Sequence, residues 1–176
     1  MSQIHPGQTL LDEHRVIEGV LNAFEARLLK LPSRPIPGQW LTGAMDFFRH
    51  FVEACHHNKE EELVFPRLRE SGLLAQHDTG AEFLDRLEQT IDRAGSGEPR
   101  AVEDFGEAGL AYVRFLREHI RQEDEILHWA ASQPMSDVSV EQFQQEASPE
   151  QFHQMSEETY EKYVALAERL GAAEAA

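Results

Sequence analysis

Apolar positions in this chain recur every three or four residues, the period of helices with one buried face. Leu10, His14, Ile17, Leu21, Phe24 and Leu28 keep that spacing to about Leu31. Residues 1 to 8 read as a loose start, and Thr9 followed by Asp12 resembles a capping box. Pro32, Pro35 and Pro37 then break the chain into a connector that ends near Gly38. A second helix is predicted from about Gln39 to Glu70, ended or kinked by Pro66, with Gly72 at the turn. A third spans roughly Leu73 to Ala94 and stops at Gly95, and a fourth runs from about Pro99 to Ala131. Ser148, Pro149 and Gln151 form a further helix start, so a C-terminal covering helix is expected over about 148–171. Its stripe is Phe152, Met155, Thr159, Tyr163, Leu166 and Leu170. No stretch alternates with the period of strands. The predicted fold class is therefore all-α, an antiparallel up-down four-helix bundle over about 9–131 with the additional C-terminal helix, in a single domain of 176 residues.

An internal repeat organises this pattern. His56 to Pro66, HHNKEEELVFP, lies over His119 to Trp129, HIRQEDEILHW, and the same shift of 63 residues carries His14 onto His77. Each half thus offers a lone His on one helix and HxxxE on the next. Leu41, Met45, Phe48, Val52, His56, Glu60 and Leu63 share one helix face, and Tyr112, Leu116, His119, Glu123, Ile126 and Ala130 share another. A His and a Glu interrupt an apolar stripe in both. A buried, ionised Glu costs several kcal/mol unless it is paired or bound to a cation. Two of them, each one turn from a His, call for metal.

His14, His56, Glu60, His77, His119 and Glu123 are accordingly the candidate metal ligands. Four imidazoles and two carboxylates suit a pair of ions, each holding two His, with the Glu side chains bridging. That donor set suits iron, manganese or zinc; thiolate is lacking. His57 and Glu61 also read HxxxE, but their row, with Asp46, His50 and Glu53, is polar and reads as a solvated face. His128 falls beside Arg121 and Asp124, and His5 and His153 read as surface residues. Glu53 with His56 and Glu125 with His128 read ExxH, the pattern of carboxylate-rich ferritin-like sites, but the second pair points to the charged face.

Composition narrows the setting. A formal net charge of −16 disfavours nucleic acid and anionic membranes as partners. The absence of a long apolar run or charged-then-apolar start argues against a membrane span or signal peptide. Cys55 is the single cysteine and reads as a small core filler, which suits a reducing, cytoplasmic location. Monomer and homodimer are both compatible with the sequence.

With LLDEH, HHNKEEELVFP, the His of AQHDTG and YVRFLREHIRQE in order and in helical phase, residues 9 to 131 resemble the hemerythrin-like, or HHE cation-binding, family. The resemblance implies a non-haem centre of two iron ions, oxo- or hydroxo-bridged, with manganese or zinc as substitutes. It places His14, His56, Glu60, His77, His119 and Glu123 in ligand positions. Oxygen-carrying members have a fifth His from HxxxH on the third helix, where this chain has Ala81 and Leu73 around His77; their uneven iron environments are not expected here. The iron-sulfur repair branch carries an extra Cys-containing module that this sequence lacks. Three functions remain open: a di-iron oxidoreductase of catalase- or peroxidase-like type acting on peroxide, dioxygen or nitric oxide; an oxygen, iron or redox sensing or storage module signalling through the tail, where Tyr160 or Tyr163 stands to approach the metal; and a metal-free scaffold.

Overall fold

The computed structural model describes residues 6–31, 33–64, 73–132 and 155–172, and all regular structure among them is helical. Helix α1 spans Pro6–Leu28, so residues 6–8, expected to lie before the helix, are helical and the helix is formed ahead of the Thr9 capping box. Helix α2 (Gly38–Asp46) follows the proline connector. It does not continue as plain α-helix: Phe47–His57 and Glu60–Val64 form π-helical turns, with wider i→i+5 bonding. Pro66 and Gly72 lie outside the described residues.

Helix α3 (Leu74–Ala94) and helix α4 (Pro99–Ser132) match their expected spans closely. Gly95 ends α3 in an ordinary right-handed conformation; the left-handed residue of the loop is Gly97, with φ 76°, a conformation glycine adopts without steric cost. Helix α5 spans Glu157–Ala172. Its start is set by Ser156, whose hydroxyl accepts from the Thr159 amide at 3.2 Å in the manner of an N-cap. The expected start at Ser148, with Phe152, falls outside the described residues.

Helix α3 packs along α4, and α1 lies against both α4 and α5. Gly109 makes the approach of α1 to α4 possible, because a Cβ there would stand 2.7 Å from Leu28 Cδ1. The main core gathers Phe24, Phe47, Phe48, Phe51, Leu84 and Tyr112, joined by ring contacts such as Phe48 to Tyr112 at 5.1 Å. A separate small cluster, Leu10, Leu11 and Leu127, lies further along α1 and α4. The polar residues of interest fall between these clusters in both helices.

Helix α5 buries Tyr163, Ala167 and Leu170. Trp40 anchors it: the indole N–H donates to the Leu170 carbonyl at 3.1 Å, its ring stacks on Phe24, and the Arg27 guanidinium lies 4.2 Å from it. Replacing Trp40 by Phe removes the hydrogen bond and part of the ring contact. The expected loss is about 1–2 kcal/mol of stability, read from the midpoint of a urea transition; an unchanged midpoint would show that the anchor contributes nothing.

Candidate metal centre

Four helical stretches converge on one buried point. His14 comes from α1, His56, His57 and Glu60 from the continuation of α2, His77 from α3, and His119 and Glu123 from α4; all seven are buried, and Glu60 and Glu123 have no exposed surface. Thus the six residues singled out by the repeat are brought together in one interior cluster.

The imidazoles are held by their outer nitrogens. His14 Nδ1 meets Asp124 at 2.6 Å, His56 Nδ1 meets Glu13 at 2.9 Å, His77 Nδ1 meets Glu61 at 2.7 Å, and His119 Nδ1 meets the Gln76 side-chain oxygen at 3.1 Å. With Nδ1–H donating outward, each Nε2 lone pair faces inward. Outer-nitrogen contacts of this kind fix the tautomer and orientation of metal-ligating histidines.

The inward atoms are all without hydrogen-bond partners: Nε2 of His14, His56, His57, His77 and His119, and both carboxylate oxygens of Glu60 and Glu123. Buried polar atoms are rarely left so, and nine together mark a place for cations. The two carboxylates are divided between two sides. Glu60 Oε1 lies 3.6 Å from His14 Nε2 and 3.4 Å from His56 Nε2, whereas its Oε2 lies 3.4 Å from His77 Nε2. Glu123 Oε2 lies 3.5 Å from His14 Nε2, whereas its Oε1 lies 3.5 Å from His77 Nε2 and 3.0 Å from His119 Nε2. Ligands about 2.1 Å from a shared ion at tetrahedral to octahedral angles stand about 3.0–3.4 Å apart, so these separations fit. Two four-residue groups result, His14 with His56, Glu60 and Glu123, and His57 with Glu60, His77 and His119, each with donor atoms within 4.8 Å of one another.

His57 corrects the sequence reading. Far from lying on a solvated face, it is 3% exposed, and its ring stacks on His77 at 4.1 Å. The wide π-helical turn accounts for the change: Phe47, Phe48, Phe51, Val52, Cys55, His56 and His57 all turn inward, where a 3.6-residue turn sends His57 outward. Its row neighbour His50 remains exposed, 55% at the side chain. A fifth imidazole thus joins the cluster, and it comes from the second helix and not the third.

Glu13 and Lys59 were also missed. Both are fully buried and form an ion pair; the clue, available only in hindsight, is that Glu13 adjoins His14 and Lys59 adjoins Glu60. Cys55 is buried, and Glu125 and His128 are exposed, leaving no second ExxH site among the described residues.

Electrostatics favour the ionised forms of Glu60 and Glu123 and of His14 and His77. Burial raises the Glu60 carboxyl, and the neighbouring Glu123 raises it further, but His56, His14 and His77 outweigh both and lower it. Burial likewise opposes ionisation of Glu123, yet the close imidazoles of His119, His14 and His77 hold it well below the usual range. Burial pulls His77 down, and Glu123, Glu60 and Glu61 reverse this, lifting it from 6.5 to about 10. His14 is raised in the same manner, chiefly by Asp124, Glu123 and Glu60.

A pH prediction follows from these signs. In protein stripped of metal, raised His14 and His77 stabilise the fold fully below about pH 6.5, and that contribution fades as pH climbs towards 10. The lowered Glu60 and Glu123 contribute above about 4.5 and lose their effect as pH falls through their folded values. Ligation needs neutral imidazole, so metal binding releases these protons and affinity rises with pH in the same window. Melting of metal-stripped protein should therefore fall by several degrees from pH 6.5 to 9.5 while metal affinity increases; a melting temperature that rises over that interval would refute the assignment.

An all-helical protein with a buried histidine and carboxylate cluster of this geometry is a cation-binding protein by its donor chemistry. The sequence model of the hemerythrin HHE cation binding domain matches residues 5–131, and the chain belongs to that family. It is also 24% identical over 166 residues to uncharacterised proteins of Mycobacterium tuberculosis and Mycobacterium bovis, an alignment covering 89% of this chain and 65% of theirs. The chain thus spans a little under two thirds of the length of those relatives. No solved structure matches significantly. No described helix is long and apolar enough to cross a membrane.

Proposed function

We propose that the chain is a non-haem di-iron protein, its first four helices forming an antiparallel bundle, that binds or reacts with peroxide, dioxygen or nitric oxide. The supporting observation is the way Glu60 and Glu123 each turn one oxygen to His14 and the other to His77. Carboxylates so placed would serve two ions, whereas one ion would leave half of these oxygens without a partner.

His14 and His56 would hold one iron and His57, His77 and His119 the other, with Glu60 and Glu123 shared. Two irons so held supply two-electron chemistry towards oxygen species. The chain's own part is to orient the imidazoles through Asp124, Glu13, Glu61 and Gln76, and to exclude water with the main core on one side and Leu10, Leu11 and Leu127 on the other. Two imidazoles against three leaves the His14 and His56 side with fewer protein ligands, so small molecules would enter there. A cytoplasmic role in oxidative or nitrosative stress or in iron handling fits this chemistry.

The test is oxygen evolution from hydrogen peroxide by iron-loaded protein, set against the same concentration of free iron. Turnover above free iron supports an enzyme. Two bound irons without turnover would overturn the catalytic part and favour sensing or storage, a reading supported by the contact of α5 with Glu13.

A further inference from the structure

The four outer contacts of the imidazoles are not alike. Asp124 and Glu61, behind His14 and His77, are partly exposed, 38% and 44% at the side chain, so water screens their charge. Glu13, behind His56, is wholly buried. Its two oxygens are both used: one meets His56 Nδ1 and the other takes the Lys59 ammonium.

A fully buried Lys and Glu pair is an expensive way to stabilise a core, since desolvation rivals the attraction. Its use here is specific: Lys59 cancels the charge of Glu13, so Glu13 serves as a firm acceptor for His56 without a net buried charge. A third group completes the set. Tyr160 of α5 lies beside this pair, with Glu13 next to its hydroxyl, the Lys59 ammonium 5.3 Å from its ring centre, and its ring packed on Phe51 at 5.7 Å. The side-chain hydrogen bonds of the other outer partners, Asp124, Glu61 and Gln76, run instead to His14, His77, His119 and Gln122, all on the first four helices.

We propose that Glu13, Lys59 and Tyr160 are positioning residues for His56, and that through them docking of the C-terminal helix is coupled to metal binding at the His14 and His56 position. The coupling rests on the two-metal reading above. It is reciprocal by thermodynamic necessity: if α5 helps bind the ion, the ion helps hold α5. The other position, with His57, His77 and His119, is insulated from it.

Cobalt(II) titration under anaerobic conditions, read by the visible ligand-field spectrum and by hydrogen exchange of residues 157–172, tests this. Wild type should take two cobalt ions, and the second readout should show slower exchange in α5 once they are bound. Tyr160→Phe should keep its fold, bind one of the two cobalt ions about 10-fold more weakly, as changes behind a ligand usually do, and lose the cobalt dependence of α5 exchange. The double variant Glu13→Gln with Lys59→Met, which leaves no unpaired buried charge, should lose the same cobalt ion. Tyr163→Phe, on the same helix but stacked near His50, should match wild type in both readouts. Wild-type α5 exchange indifferent to bound cobalt, or Tyr160→Phe with wild-type spectrum and affinities, would overturn the coupling alone. Failure of wild type to bind any cobalt would overturn the metal reading together with it.

Discussion

Protein carrying both Glu60→Gln and Glu123→Gln should keep its helical content by circular dichroism yet hold less than one metal ion per chain. Wild type prepared in the same way should hold two. The carboxylates are the only buried anions facing the five inward Nε2 atoms among the described residues, and each turns one oxygen to His14 and the other to His77. Amides of the same shape preserve packing but remove two negative charges that partly neutralise two dications. Changes behind ligands alone cost roughly 10–100-fold in affinity; loss of both bridges should exceed about 100-fold. Metal analysis by mass spectrometry checks it, and a double variant that retains two ions would mean that the imidazoles alone form the site.

His57→Leu should separate the two positions. It leaves His14 and His56 with their carboxylates intact and removes one of the three imidazoles from the other group, so one ion should bind as before and the second about 10–100-fold more weakly. Leucine fills most of the volume, which keeps the stacked neighbour His77 in place. His50→Leu, at an exposed position, should leave both affinities unchanged. Equal behaviour of the two variants would return His57 to the role of a packed core residue.

The contrast between His56 and His57 shows where sequence periodicity is informative. His56 was legible because it lies on a row of apolar residues and because a fixed shift lands it on His119; both signals survive any small change in helix winding. His57 was not, since its row was drawn at 3.6 residues per turn through a segment that winds wider. The doublets Phe47 and Phe48, Phe51 and Val52, Cys55 and His56 recur every four residues, a spacing that drifts by about 40° per repeat on an ordinary helix. That drift was the available sign of unusual winding.

Charge misled in a similar way. Most of the 32 acidic residues are solvated, so Glu13 looked like one of many, and Lys59 in a run of acids looked like a surface neutraliser. Only the packing of α1 against the continuation of α2 shows them paired behind His56. Helix spans fared better where glycine or proline marked an end, as at Ala94 and Pro99. The start of α1 was less legible, since the helix is already formed at Pro6, ahead of the capping signal at Thr9.

X-ray absorption at the iron edge of iron-loaded protein addresses the central arrangement most directly. Two irons per chain should appear, each in a shell of nitrogen and oxygen, with an iron neighbour roughly 3–4 Å away as in other two-metal sites. Iron below one equivalent, or a nitrogen and oxygen shell with no second metal behind it, would contradict the account.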